Sequence, residues 1–171
     1  MRPCLKGWVI ACLGGVGLMA PLAGQAVYAT PEAGWSERRG LALGGRVGSE
    51  VLTGLEVVAQ GLVFFPDEET VGDPGVDVSR TAWQAAVNLI YLFDPNRALA
   101  PYVGAGVRYG RSSLTIVVDD LRARDRRAGV DPHLLGGLRL PRLPASPFIE
   151  VRGGDGAWTA TVGGRWEIRS R

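Results

Sequence analysis

Apolar and polar residues alternate by twos along most of the chain. In Arg80–Phe93 one face carries Thr81, Trp83, Ala85, Val87, Leu89, Tyr91 and Phe93. The other carries Arg80, Ala82, Gln84, Ala86 and Asn88, then Ile90 and Leu92. In Ala157–Ile168 the apolar face is Trp158, Ala160, Val162, Gly164, Trp166 and Ile168, opposite Thr159, Thr161, Gly163, Arg165 and Glu167. A period of two predicts two-faced β-strands. The same pattern predicts strands over Gly40–Val51, Leu55–Phe65 and Tyr102–Tyr109, with shorter ones over His133–Leu140 and Pro147–Arg152. Turn residues separate them at Thr53-Gly54, Asp94-Pro95-Asn96, Pro141 to Pro147 and Gly153 to Gly156. Two connections, Pro66–Ser79 and Ser112–Pro132, read as long and charged. No stretch has a helical period. The expectation is one all-β domain with seven visible strands.

Alternation does not say which face is inside. A soluble sandwich or lipocalin-like barrel hides its apolar face, whereas a membrane barrel turns it to lipid. The polar faces here combine small residues with charges of both signs: Arg46, Glu56, Gln84, Asn88, Arg108, Arg139, Glu150, Arg152, Arg165 and Glu167. A narrow lumen needs small residues where space is short and opposite charges that neutralise each other. These side chains are therefore expected to form a lumen network. Trp83, Val87, Leu89, Tyr91, Val103, Val107, Tyr109, Trp158, Val162 and Trp166 are expected to face lipid. In the run PYVGAGVRYG, Gly104 and Gly106 would leave lumen room for Arg108 and its neighbours. Trp158 and Trp166 share a face, and at ~3.3 Å per residue and ~40° tilt they fall ~20 Å apart along a membrane normal. That is close to the ~25 Å apolar band with its aromatic girdles. Core aromatics of a sandwich fall at the same spacing.

The first residues change the charge balance. Arg2 and Lys6 precede an apolar stretch from about Trp8 to Ala23, followed by the small residues Gly24-Gln25-Ala26 and Val27-Tyr28-Ala29. This order predicts a secretory signal peptide over 1–29, cut after Ala26 or Ala29, ahead of a barrel over 30–171. A spanning anchor would need ~18–20 apolar residues, and Val9-Ile10-Ala11-Cys12 gives a lipobox alternative. Without Arg2 and Lys6, the 19 basic residues fall to 17 arginines against 17 acidic residues. Such a neutral chain has no basic excess for nucleic acid. Both cysteines, Cys4 and Cys12, lie in the signal, so the exported protein has no disulfide.

Motifs that carry chemistry are sparse. Gly104 to Gly110 has the wrong spacing for a nucleotide loop and no following helix. His133, the only histidine, could be imagined with Ser112 or Ser113 and Asp131 as a hydrolase triad, although the spacing does not support one. Asp67, Glu68, Glu69, Asp73 and Asp77 lack the order of a calcium loop. Arg122, Arg124, Arg126 and Arg127 offer bidentate donors to lipopolysaccharide phosphates, with Asp119, Asp120 and Asp125 interleaved. No cofactor and no metal is expected.

PYVGAGVRYG, preceded by NLIYLFD and a turn, resembles the central hairpin of small OmpA-like and opacity-type outer-membrane β-barrel proteins. SPFIEVRGG followed by ATVGGRWEI resembles their last hairpin. The resemblance implies an eight-stranded up-and-down antiparallel barrel in the outer membrane, inserted by the barrel-assembly machinery and bathed in outer-membrane lipid and lipopolysaccharide. Its role would be structural or interactive, without enzymatic activity. Asp94–Ala100 and Pro141–Pro147 would be periplasmic turns, and the two long connections would face outward. Two features depart from the family. Trp166 is followed by Glu-Ile-Arg-Ser-Arg where a terminal aromatic is usual, and either the eighth strand lies in Val27–Glu37 or in an irregular part of Leu114–Asp120, or the barrel is incomplete and the protein periplasmic. A soluble periplasmic barrel binding an apolar ligand, and a lipid-modifying barrel hydrolase, remain as alternatives.

Overall fold

A computed structural model describes residues 27–71, 76–118, 121–154 and 156–168. All its regular elements are strands: β1 (Val27–Ser36), β2 (Gly40–Leu52), β3 (Leu55–Val71), β4 (Val76–Leu92), β5 (Ala100–Val118), β6 (Leu121–Arg139), β7 (Pro147–Gly154), β8 (Ala157–Gly164) and β9 (Trp166–Ile168). Each strand from β1 to β7 pairs antiparallel with the next, and β1 also pairs with β8 and β9. The sheet thus closes on itself as a barrel, and open edges remain only where β3 runs past its pairing with β2 at Phe64 and β6 runs before its pairing with β7 at Leu134. The expected signal falls outside the described residues up to Ala26, while its second expected end, after Ala29, lies within β1.

The eighth strand of the barrel is interrupted rather than followed by a separate ninth. Glu32 pairs with Gly163 and Ala29 with Trp166, so β8 and β9 keep one register across a gap at Arg165. Pro31 explains the gap. Its carbonyl is turned toward Gly163, and its nitrogen on the same side has no proton to offer the ladder. The Arg165 N–H donates instead to the Ala145 carbonyl at 2.6 Å, in the turn between β6 and β7.

One open alternative is resolved here and one expectation is corrected. The eighth strand is β1, within the expected Val27–Glu37, with Tyr28, Thr30, Glu32 and Ser36 buried on its inner side. The long charged connections are mostly strand. β3 and β4 extend to Val71 and Val76, and β5 and β6 to Val118 and Leu121. A solvated β-ribbon needs polar side chains on both faces, so its composition imitates a loop. The short strand expected at His133–Leu140 is the end of β6, which has 19 residues. Hence four neighbouring strands stand well above the hairpin tips at 37–39 and Gly156, giving the barrel one tall wall.

The interior is only partly polar. Tyr28, Val58, Ile90, Leu92, Ala100, Tyr102 and Leu135 form one buried apolar cluster, toward the end holding the termini. Ala42, Leu62 and Phe64 form another.

Candidate functional site

Three buried glutamates organise the interior. Glu56 on β3 accepts from Arg139 on β6 through both carboxylate oxygens, at 2.7 and 2.9 Å. It also accepts from Arg165 at 2.7 Å and from the Tyr28 hydroxyl at 2.7 Å. Glu150 on β7 accepts from Arg46 at 3.1 and 3.2 Å, from Arg152 Nε at 2.5 Å and from the Tyr102 hydroxyl at 3.0 Å. Glu32 on β1 holds Arg46 Nε and the Gln60 amide. Arg46 therefore bridges Glu32 and Glu150. Forked guanidinium contacts of this kind are stronger than neutral hydrogen bonds. Their environment also makes them strongly coupled, because a buried charge left without its partner is costly.

The remaining residues of the expected network lie as follows. Gln84 is buried and accepts from Arg39 Nη1 at 3.3 Å, where Arg39 also lies over the Phe64 ring at 5.4 Å. Asn88 Oδ1 meets His133 Nε2 at 2.7 Å, both side chains being buried. Arg108 is buried, with Asp131 at 3.9 Å and the Gly154 carbonyl at 3.4 Å. Glu167 does not join the interior: its side chain is exposed, 4.0 Å from Arg165 Nη2. Gln60, on the polar face of β3, joins the network through Glu32, and Tyr28, Glu32, Tyr102 and His133 belong to it as well, beyond the expected set. Alternation placed Tyr102 on the same side as Gly104, and Tyr28 and Glu32 share the inner parity of β1.

Gly104 and Gly106 make room, but for other neighbours than Arg108. A Cβ at Gly104 would stand 2.9 Å from Leu135 Cδ1, and one at Gly106 would collide with Asn88 Oδ1.

The outer surface is apolar. Trp83, Val87, Leu89, Tyr91, Val103, Val107, Tyr109, Trp158, Val162 and Trp166 are all exposed. So are Trp35, Leu41, Leu43, Leu134, Ile149 and Val151. Aromatic pairs mark the belt's margins. Trp83 and Tyr109 (5.4 Å between ring centres) and Trp35 and Trp158 (4.9 Å) lie toward the hairpin end, and Tyr91 and Phe93 (5.4 Å) toward the terminal end. Trp83 and Tyr91, on one face of β4, are separated by ~20 Å along the axis at ~3.3 Å per residue and ~40° tilt.

No hydrolase triad is assembled. Ser112 pairs with Arg127 and His133 with Gly106, six residues along β5 and roughly 20 Å away. Ser113 Oγ is engaged by Arg124 at 3.0 Å. Among the described residues, no group of three or more His, Cys, Asp or Glu side chains is placed to hold a metal. At the hairpin end a cavity of about 320 Å³ opens between Arg38, Arg39, Phe64, Arg80, Asp125 and Arg127.

A closed eight-stranded antiparallel barrel with paired charges inside and an apolar belt outside has the architecture of the small outer-membrane β-barrels. Solved structures similar to it are of that class. The N-terminal β-barrel domain of Pseudomonas aeruginosa OprF shares 17% identity with a TM-score of 0.63, over 84% of this chain and 97% of that one. Neisserial surface protein A shares 14% with a TM-score of 0.57, over 85% and 98%. A major outer membrane protein of Thermus thermophilus shares 13% with a TM-score of 0.53, over 84% and 100%. No protein-family model and no curated protein matches the chain in sequence. The likeness therefore lies in the fold.

Proposed function

We propose that this chain is an integral outer-membrane protein whose barrel is a plugged wall, with a structural or interaction role in the cell envelope. The observation that carries the reading is the belt of exposed large apolar residues around a barrel whose inside holds paired charges. A surface of that extent is costly in water and favourable in hydrocarbon. The lipid-facing set named above forms this belt, and outer-membrane lipid and lipopolysaccharide are its surroundings. The chain reaches the membrane as an exported precursor and is inserted by the barrel-assembly machinery. The hairpin end faces outward and the end with the termini faces the periplasm.

A wide diffusion pore is not supported, because eight strands enclose a space that side chains fill. Here Arg46, Glu56, Arg139 and Glu150 fill it. A lipocalin-like carrier would keep its large apolar residues around a central ligand, the reverse of this arrangement. Cell fractionation tests the reading. The protein should be extracted from outer membranes only by detergent and should migrate differently in gels with and without heating. Release by osmotic shock would overturn the proposal in favour of a soluble periplasmic barrel.

A further inference from the structure

We propose that the outward face of the tall wall carries a phosphate clamp, built from Arg111, Arg124 and Arg126, for phosphorylated glycolipid in the outer leaflet. The inference rests on the membrane reading above. Cross-strand register across β4, β5 and β6 places residues of one face in rows. Ala85, Tyr109 and Val130 share a row, and Trp83, Arg111 and Ala128 share the next. Beyond them come Thr81, Ser113 and Arg126, then Ser79, Thr115 and Arg124. Hydrocarbon-like side chains thus give way to hydroxyls and guanidiniums immediately past the Trp83–Tyr109 ring pair, the height at which headgroups begin.

Local geometry favours an anion. Arg124 Nε donates to Ser113 Oγ at 3.0 Å, which holds that guanidinium against the sheet. A groove of about 290 Å³ runs between Thr81, Trp83, Arg111, Ser113, Arg124 and Arg126. Among the described residues none of these three arginines has a carboxylate within ion-pair distance. Asp125 pairs with Arg127 at 3.2 Å, and Asp131 lies beside the buried Arg108. Asp67 and Glu69 fall on the other face, opposite Arg80 and Val78, whereas on the face that carries these arginines the acidic register positions of the neighbouring strands are Glu68, opposite Ser79, and Asp77, opposite Val117. Both lie at least two strand spacings from β6, roughly 10 Å. Arginine forks match phosphate oxygens in pairs, and adjacent hydroxyls supply further donors. Below the groove the belt continues through Val107, Val130 and Leu134. The ligand that satisfies both parts has a phosphorylated head and acyl tails, and free phosphate meets only half of the surface.

The test compares the wild type, the triple variant R111Q/R124Q/R126Q, each single variant, and R127Q as a control on an arginine paired with Asp125. Each protein is inserted into vesicles containing bis-phosphorylated lipid A, or the same lipid with its phosphates removed. Lipid retained on the folded barrel after detergent extraction is read by mass spectrometry. Retention should fall roughly a hundredfold in the triple variant and about fivefold in each single variant, given the usual contribution of one basic residue at an anionic surface. R127Q should match the wild type, and inorganic phosphate should not displace the lipid. Equal retention by the triple variant, equal retention of phosphate-free lipid, or displacement by inorganic phosphate would each overturn the clamp. If the triple variant does not fold, the single variants decide. A wild-type chain that fails to insert into either vesicle sinks the membrane reading as well, whereas insertion with indifference to phosphate sinks only the clamp.

Discussion

Tyr28 donates its hydroxyl to Glu56 Oε2 at 2.7 Å across the barrel interior, tying the first strand to the third. The same short segment, Val27 to Ala29, pairs with β2 on one side and with Trp166–Ile168 on the other. Processing after Ala26 keeps these bonds, and processing after Ala29 removes them. The mature protein isolated from membranes is therefore expected to begin at Val27. N-terminal sequencing that finds Thr30 first would refute this.

Glu56 receives two arginines and a tyrosine, so its removal strands charge in a closed interior. Glu56→Leu should lower unfolding stability by ~3–5 kcal/mol, the usual cost of breaking a buried pair from one side. Adding Arg139→Met and Arg165→Met should recover much of the loss. Urea titration in lipid vesicles measures both, and a triple variant no better than the single one would contradict the account.

Val87 is exposed on the outer belt, while Ala86 beside it is buried inside. Val87→Arg is expected to cost ~2–4 kcal/mol near the bilayer midplane. Ala86→Ser, which adds a hydroxyl to the interior, should be mild. Folding yield into vesicles separates the two, and equal tolerance would reverse the assignment of faces.

The Tyr28 ring occupies the space a side chain at Gly48 would need, since a Cβ there would meet its Cζ and Oη. Gly48→Ala should cost about 1–3 kcal/mol by overpacking. In a Tyr28→Ala background the same change should be close to neutral. A double-mutant cycle with no coupling between the two sites would exclude the contact.

Much of this barrel was legible in the order of residues, and the reasons for the exceptions are physical. The stretch around Trp83 to Tyr91 declared itself because one face is apolar without interruption. β1 did not, because Pro31 and Gly34 are poor strand residues and its inner side is tyrosine, threonine and glutamate. Ile90 and Leu92 blurred the alternation because the interior near the termini is itself apolar, around Tyr102 and Leu135. Arg46, Glu56, Arg139 and Glu150 could be read as inward-pointing from parity. Their pairing could not, because Glu56 and Arg139 meet only after the sheet has closed. Glu32 and Tyr28 were hidden with the strand that carries them.

Pro31 leaves the junction between the first and last strands with a missing stitch at Thr30 and Pro31, while the other junctions run on without such a gap or with only a local bulge. A ring fastened this way has one weak seam. Amide exchange should begin there, around Ala29, Glu32 and Trp166, before it reaches β4 or β5. The place where the cylinder must finally be zipped during assembly is thus also where it would first come undone.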